Sequence, residues 1–425
     1  MKKRLIALAL FCFSLVSCEL SFLTGIRPED KWDRVMILYS AGYNDLYWAI
    51  SSDQRELVDE SKDPYIPRRS DRKAIVVIAH LPENGNYNKP TCPYILQVRR
   101  DEMNSGIITD TLYKAPAGTC LTDKDTMREL LEMVRNGFKS DHYGLIFESH
   151  ATGWLPEGYY TSGSGSSTLM FSSGKKKAQG GFVSINDISA VPVRSFGDHF
   201  YFEGTVRHSR QTEITDMAAA VPMHLDYLVF DACLMGGIEV AYEFKDIADY
   251  IAFSPAEVLG SGMDYSKVAR RLLKPEKADL EGMCRDFYED YSSSSVTTTL
   301  IRTDALPAVA SVCRNLFSSH RTQLDAIDAS KVQRYFRKDR HWFYDLRDIL
   351  SRCGLSEVES QELDDALDGC ILYKNSTSSF LPYDHGFQIT SYGGISMYLP
   401  CDGSPDLDLF YKSFAWNKAT GLVAD

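Results

Sequence analysis

An α/β fold with a mainly parallel central sheet is predicted by three features of the chain. Five short segments, at residues 34–39, 74–80, 143–147, 225–230 and 250–253, are nearly continuous in apolar residues. That pattern is expected of strands that helices cover on both faces. Helical patterns fill the gaps between them, and two of the apolar runs stop abruptly, one at His150 and one at Cys233.

Taken in order, the chain begins with the layout of an export signal, in which Lys2, Lys3 and Arg4 precede an apolar run over residues 5–16. The run is too short for a permanent membrane span. It ends in Leu15-Val16-Ser17-Cys18, which resembles a bacterial lipobox. This predicts a lipoprotein signal peptide over residues 1–17, a lipidated Cys18 and a tether over 18–30. The mature protein would be an exported bacterial lipoprotein, held at the periplasmic face or the cell surface by acyl chains that cross nothing.

After the strand at 34–39, residues 45–58 read as a helix, and 122–138 as the clearest one, with Thr122 and Asp125 as a cap pair and Gly137 near its end. Residues 153–181 differ in composition, with Ser162-Gly163-Ser164-Gly165-Ser166-Ser167 followed by Lys175, Lys176 and Lys177, and read as a mobile loop. Helices at 214–220 and 237–244 flank the strand that leads to Cys233. Residues 31–265 therefore form one α/β domain. From 266 to 425 the pattern is more helical, through 277–291 and 306–329, with a late strand pair at 387–390 and 394–399. This region is expected to pack on the first.

At 425 residues, 44% of them apolar, the chain can bury a large core. Its net charge of −12 becomes −15 without Lys2, Lys3 and Arg4, which argues against nucleic acid as a partner. The cysteines are scattered and lack the tight pairing of a stapled domain. There is no CxxC pair and no HExxH, so no zinc site is indicated, and no EF-hand loop is present.

Ligands of open parallel sheets bind beyond the carboxyl ends of the strands. Cys233 and His150 both fall there. A thiolate is the reactive form of cysteine, favoured at a helix N-terminus or beside an imidazolium. Cys233 is expected just before a helix, with its own amide and that of Ala151 facing the same space, where they could hold an oxyanion. His150 would then supply a proton to a leaving amine. The plainer reading of Cys233 is a small core residue. Asn44 and Asp45 border the cleft at the end of the first strand, without a catalytic role.

These segments resemble the clostripain family of cysteine peptidases, grouped structurally with caspases, gingipains and legumain. The resemblance rests on Ser149-His150-Ala151-Thr152-Gly153-Trp154 and Phe230-Asp231-Ala232-Cys233-Leu234-Met235. Weaker echoes lie in Met36-Ile37-Leu38-Tyr39 with Asn44-Asp45-Leu46, in Tyr344-Asp345-Leu346, and in Gly394-Ile395-Ser396-Met397-Tyr398-Leu399-Pro400. It implies a caspase-like three-layer sandwich and a catalytic dyad of His150 and Cys233 that cuts peptide bonds through an acyl-thioester. Substrates would be proteins or peptides with arginine or lysine before the scissile bond. Asp231 would line that pocket, since a carboxylate suits a bidentate arginine, and Glu257 or Asp264 would be a second acid. The resemblance further implies self-cleavage after Lys175, Lys176 or Lys177, no cofactor required for the chemistry, a possible role for Ca2+, and a monomer. Ala151 stands where the family usually has glycine, which puts any left-handed turn there in doubt. That departure motivates a rival reading, a catalytically silent binding module on the same fold, and a peptide ligase or transpeptidase is a third.

Overall fold

The computed structural model describes residue 26 and residues 30–62, 64–156, 196–204, 206–274, 276–337 and 342–424. The signal peptide, Cys18, and Lys175, Lys176 and Lys177, with most of the loop expected over 153–181, lie outside the described residues.

The chain forms β1 (Arg34–Ala41), α1 (Tyr47–Glu56), β2 (Lys73–His80), β3 (Tyr94–Arg100), β4 (Ile107–Lys114), α2 (Lys124–Gly137) and β5 (Tyr143–Glu148). A hairpin follows, β6 (Phe196–Glu203) and β7 (Val206–Thr212), then α3 (Ile214–Ala220), β8 (Leu225–Asp231), α4 (Ile238–Glu243) and β9 (Ala248–Phe253). Next come α5 (Tyr265–Leu272), α6 (Leu280–Tyr291), β10 (Thr297–Arg302), α7 (Leu306–Ser319), β11 (Tyr344–Asp345), α8 (Leu346–Ser351), α9 (Glu357–Cys370) and β12 (Ile371–Ser376). The end of the chain holds β13 (Ser379–Phe380), β14 (Phe387–Gln388), β15 (Ser396–Met397), α10 (Pro405–Tyr411) and α11 (Ala415–Thr420).

Nine strands make one sheet in the order β12-β10-β9-β8-β5-β1-β2-β3-β4. The five strands read from the sequence are its parallel centre. Antiparallel strands extend both sides, β3 and β4 beyond β2, and β10 and β12 beyond β9. Side chains alternate between the faces, as strand geometry requires. Val35, Ile37 and Tyr39 enter one apolar layer with α2, α3, α4 and α7, while Met36 and Leu38 enter the other with α5 and α6. The result is the three-layer sandwich.

Several local expectations are corrected. The cap of α2 is Asp123, whose carboxylate accepts the Thr126 amide at 2.9 Å, while the Thr122 hydroxyl donates to the Arg210 carbonyl. The helix expected over 306–329 stops at Ser319. The two late segments do not pair with each other, for β14 pairs with β13 and β15 with β11. A boundary at 265 does not follow the sheet either, because β10 and β12 continue it.

Leu228 lies fully buried in β8, the strand between β5 and β9. Leu228→Ala should cost about 2–5 kcal/mol. Urea unfolding that shows a loss under about 1 kcal/mol would contradict this packing.

Candidate active site

The site grows from three neighbouring parallel strands. Ser40 of β1 lies opposite Glu148 of β5, and Glu148 opposite Asp231 of β8. The chain therefore leaves all three strands at one level, toward Asp45, His150 and Cys233 respectively.

His150 follows β5 in a turn and is 16% exposed at its side chain. Its Nε2 lies 2.6 Å from Asp45 Oδ1. Burial pulls the imidazole pKa down, but the hydrogen bond and charge of Asp45 outweigh it, with Asp198 adding and Arg207 opposing, so the net shift is upward. Asp45 is held by its neighbour. Asn44 is fully buried, and its side-chain amide donates to the carbonyls of Ala41 and Asp198 at 2.9 Å and to Ser149 Oγ at 3.3 Å.

Cys233 departs from expectation. β8 ends at Asp231, the cysteine lies in a turn, and the next helix, six residues long, starts only at Ile238. No helix N-terminus therefore acts on the sulfur. Sγ accepts the Val258 amide at 3.3 Å and donates to the Val258 carbonyl at 3.6 Å. Burial, then the charge of Glu257, pushes the thiol up to about 12, against the Val258 amide and Arg337. Among the described residues no hydrogen bond joins Cys233 to His150, so this is a resting arrangement with a protonated thiol.

The backbone strain also falls elsewhere than at Ala151. That residue is buried, bridges to Phe196 and is not left-handed. The left-handed residues are Gly153, at φ 60°, and Leu234, at φ 61°, directly after Cys233. A Cβ on Gly153 would stand 2.5 Å from the Leu234 carbonyl oxygen. The histidine turn and the cysteine turn thus touch through a position that only glycine fits.

The three candidate specificity acids differ in their engagement. Glu257 is buried against Arg337, whose Nη2 lies 2.9 Å from Oε1 and whose Nε bonds Oε2. Asp264 caps α5, accepting the Ser266 amide at 3.1 Å. Asp231 receives the Met263 amide at 3.0 Å and the Tyr265 hydroxyl at 3.1 Å, both on Oδ2, while its buried Oδ1 has no partner. Burial raises its pKa to about 6.

Sequence reasoning missed the acids beneath it. Asp53 of α1 and Glu148 are both buried, and burial is the largest cause that raises both carboxyls; the interaction between them raises Asp53 further and lowers Glu148. Ser40 donates to Glu148 Oε2, while the buried Oε1 has no partner. A signal existed, since Asp53 shares the buried face of α1 with Ala49 and Ile50 at helical spacing. Nothing in the sequence pointed to Arg337.

Distant segments complete the support. Trp154 is buried among Phe343, Tyr398, Tyr411 and Phe414. The Ser396 amide donates to the Gly236 carbonyl at 2.9 Å. The buried Glu239 carboxylate accepts the Tyr398 amide at 2.8 Å and the Tyr411 hydroxyl at 2.6 Å. Burial raises that carboxyl to about 7. Among the described residues no group of three or more His, Cys, Asp and Glu side chains is arranged to hold a metal ion.

The parallel sheet places a histidine and a cysteine on adjacent strand ends, the arrangement that the sequence resemblance implies. Residues 207–404, which include Cys233, match the model of the clostripain family, peptidase family C11. The matched segment is a little under half of the chain, and through it the chain is similar to the clostripain family. Three solved structures share the fold. An inactive zymogen C11 protease from Parabacteroides distasonis is 24% identical, with a TM-score of 0.72, over 94% of this chain and 99% of that one. A secreted C11 cysteine protease from Bacteroides thetaiotaomicron, iotapain, is 20% identical, with a TM-score of 0.71, over 92% and 99%. A secreted C11 cysteine protease from the same organism, in complex with an irreversible peptide inhibitor, is 19% identical, with a TM-score of 0.70, over 92% and 99%. None of the curated proteins matches the chain.

Two outcomes follow from this geometry. Gly153→Ala should destabilise the fold by about 1–3 kcal/mol in urea unfolding, whereas Ala151→Gly should cost under about 1 kcal/mol; equal effects would refute the contact between the two turns. The second concerns pH. The native state keeps the Glu239 proton to about pH 7, whereas an unfolded glutamate loses it near 4.5, so stability falls as pH rises between those values. At about 1.4 kcal/mol per pH unit the loss is on the order of 3 kcal/mol. Asp231 acts with the same sign up to about pH 6. Unfolding free energies at pH 5 and pH 8 should differ in that direction, and Glu239→Gln should flatten the difference.

Proposed function

We propose that the protein is an exported endopeptidase that hydrolyses peptide bonds after arginine or lysine. The Cys233 thiolate attacks the scissile carbonyl carbon, and the amides of Ala151 and Cys233 hold the oxyanion. His150 passes a proton to the leaving amine. Water then gives a proton to His150 as it hydrolyses the acyl-thioester. Asp231 receives the basic side chain of the substrate.

The observation that carries this reading is the shared edge of β5 and β8, from which His150 and Cys233 both emerge, with the half-partnered Asp231 at the end of β8. A buried carboxylate oxygen without a donor is costly, and an incoming guanidinium or ammonium would remove that cost. Calcium, which the family resemblance allows, enters no step.

The resting thiol favours an activation step. In this reading the step is cleavage after Lys175, Lys176 or Lys177. Physical support comes from the ends of that segment, because the Gly197 amide donates to the His150 carbonyl at 2.8 Å and Phe196 bridges Ala151. A cut between them would loosen the turn that bears His150. A thiol pushed up to about 12 equally favours a second reading, a silent binding module. Interception of the thioester by an amine, giving ligation, is separated from hydrolysis by product analysis. Export as a lipoprotein anchored through Cys18, and a monomeric state, complete the proposal. The export and the anchor are supported by the leader sequence alone.

The test is turnover of arginine- and lysine-ended fluorogenic peptides by the wild type, Cys233→Ala and Asp231→Ala, with mass spectrometry of each chain. The wild type should turn over and be cut near residues 175–177, and Cys233→Ala should do neither. Asp231→Ala should lose on the order of 100-fold or more in kcat/KM for basic substrates. Turnover by Cys233→Ala would sink the mechanism; an intact, inert wild type would favour the binding module.

A further inference from the structure

Beyond the pair of groups that carries the chemistry, we propose that Asp45 is the positioning residue of His150, fixing the imidazole through Nε2 so that Nδ1 is the nitrogen that exchanges protons with Cys233. This rests on the reading of His150 and Cys233 as the reacting pair.

Four observations carry it. The contact itself is short and direct, 2.6 Å between Asp45 Oδ1 and His150 Nε2. The place in the sheet is ordered, since β8, β5 and β1 are consecutive, so nucleophile, imidazole and carboxylate come from neighbouring strand ends in that sequence. The carboxylate has no other structural task of the usual kind. An aspartate just before a helix ordinarily caps it, but the N-cap of α1 is Leu46, without a side-chain cap. Lastly, the turn is clamped on both sides of Asp45. Asn44 Oδ1 accepts the Leu46 amide at 2.9 Å, its amide group reaches β1, Ser149 and β6, and the Tyr87 hydroxyl donates to its carbonyl at 2.8 Å. Ser149 Oγ donates to the Ala41 carbonyl at 2.6 Å, tying the histidine turn to the same place. A carboxylate so held needs no reorganisation when the imidazole gains charge.

The proton balance is simple. With Nε2–H held by Asp45, the lone pair of the neutral ring is on Nδ1. The thiol proton moves to Nδ1 as the C–S bond forms, and from Nδ1 to the amine nitrogen as the C–N bond breaks. Two charged groups of the β6–β7 hairpin also face the ring, Asp198, which favours imidazolium, and Arg207, which opposes it. Tyr87 and Arg207 face Asp45 itself.

The test is Asp45→Asn, a change at a side chain that is 62% exposed and so should leave folding intact. With active wild-type protein as reference, kcat should fall on the order of 10- to 100-fold with KM little changed. The acidic limb of the kcat/KM profile, where the ring becomes protonated and can no longer take the thiol proton, should move to lower pH. Nitrogen-15 spectra of His150 in Cys233→Ala should show the Nε2–H tautomer when the ring is neutral, and a mixture once Asp45→Asn is added. A wild-type pH profile in Asp45→Asn, or an Nδ1–H tautomer at His150, would overturn the assignment. Turnover that survives His150→Ala overturns the parent reading and this one with it, whereas an inert His150→Ala beside an unchanged Asp45→Asn profile overturns this one alone.

Discussion

The parallel ladder of β1, β5 and β8 is the constraint on which the rest of the structure depends. Its register sets Ser40, Glu148 and Asp231 side by side, so every group that follows those strands begins from one line. Such a ladder exists only when both faces are covered, and the two apolar layers above and below it supply that cover. The same layers offset an unfavourable feature at the strand ends, where Asp53, Glu148 and Asp231 are buried with raised pKa values. A chain with a weaker core could not keep these carboxyls out of water.

Support for the cysteine turn comes from far along the chain. The residues after Cys233 are held at Gly236, Gly237 and Glu239 by Ser396, Tyr398 and Tyr411. The turn after His150 is fastened through Trp154 to the same region. The part of the chain beyond residue 266 is therefore a wall of the site and an extension of the sheet at once. Its removal would leave left-handed Leu234 with only the nearer supports, its own amide on the Ala256 carbonyl and the Gly236 amide on Ser254.

The resting thiol has a physical logic as well. Burial holds the sulfur in a neutral form against the Val258 amide, and the adjacent Glu257 disfavours thiolate while Arg337 neutralises that acid. Asp45 raises the imidazole on the other side. The two partners are each stabilised away from reaction, and moving the 256–258 segment would change both the solvation of the sulfur and the charge beside it.

The sequence by itself determined the five parallel strands, because burial on two faces writes an uninterrupted apolar run, and it marked His150 and Cys233 as the points where two of those runs break. It also marked Asp231, which ends the second run. The antiparallel strands escaped notice. β4, as Ile-Ile-Thr-Asp-Thr-Leu-Tyr-Lys, and β10, as Thr-Thr-Thr-Leu-Ile-Arg, mix polar residues into their pattern, and no short-range signal separates them from loops. Tertiary structure alone decided that Gly153 rather than residue 151 bears the left-handed turn, that the thiol rests on Val258, and that Arg337 lies on Glu257. It also decided that Asp45 meets His150 across 105 positions of sequence. Each of these is a contact between residues far apart in the chain, and such contacts are fixed by register and packing, which leave no periodicity in the sequence to read.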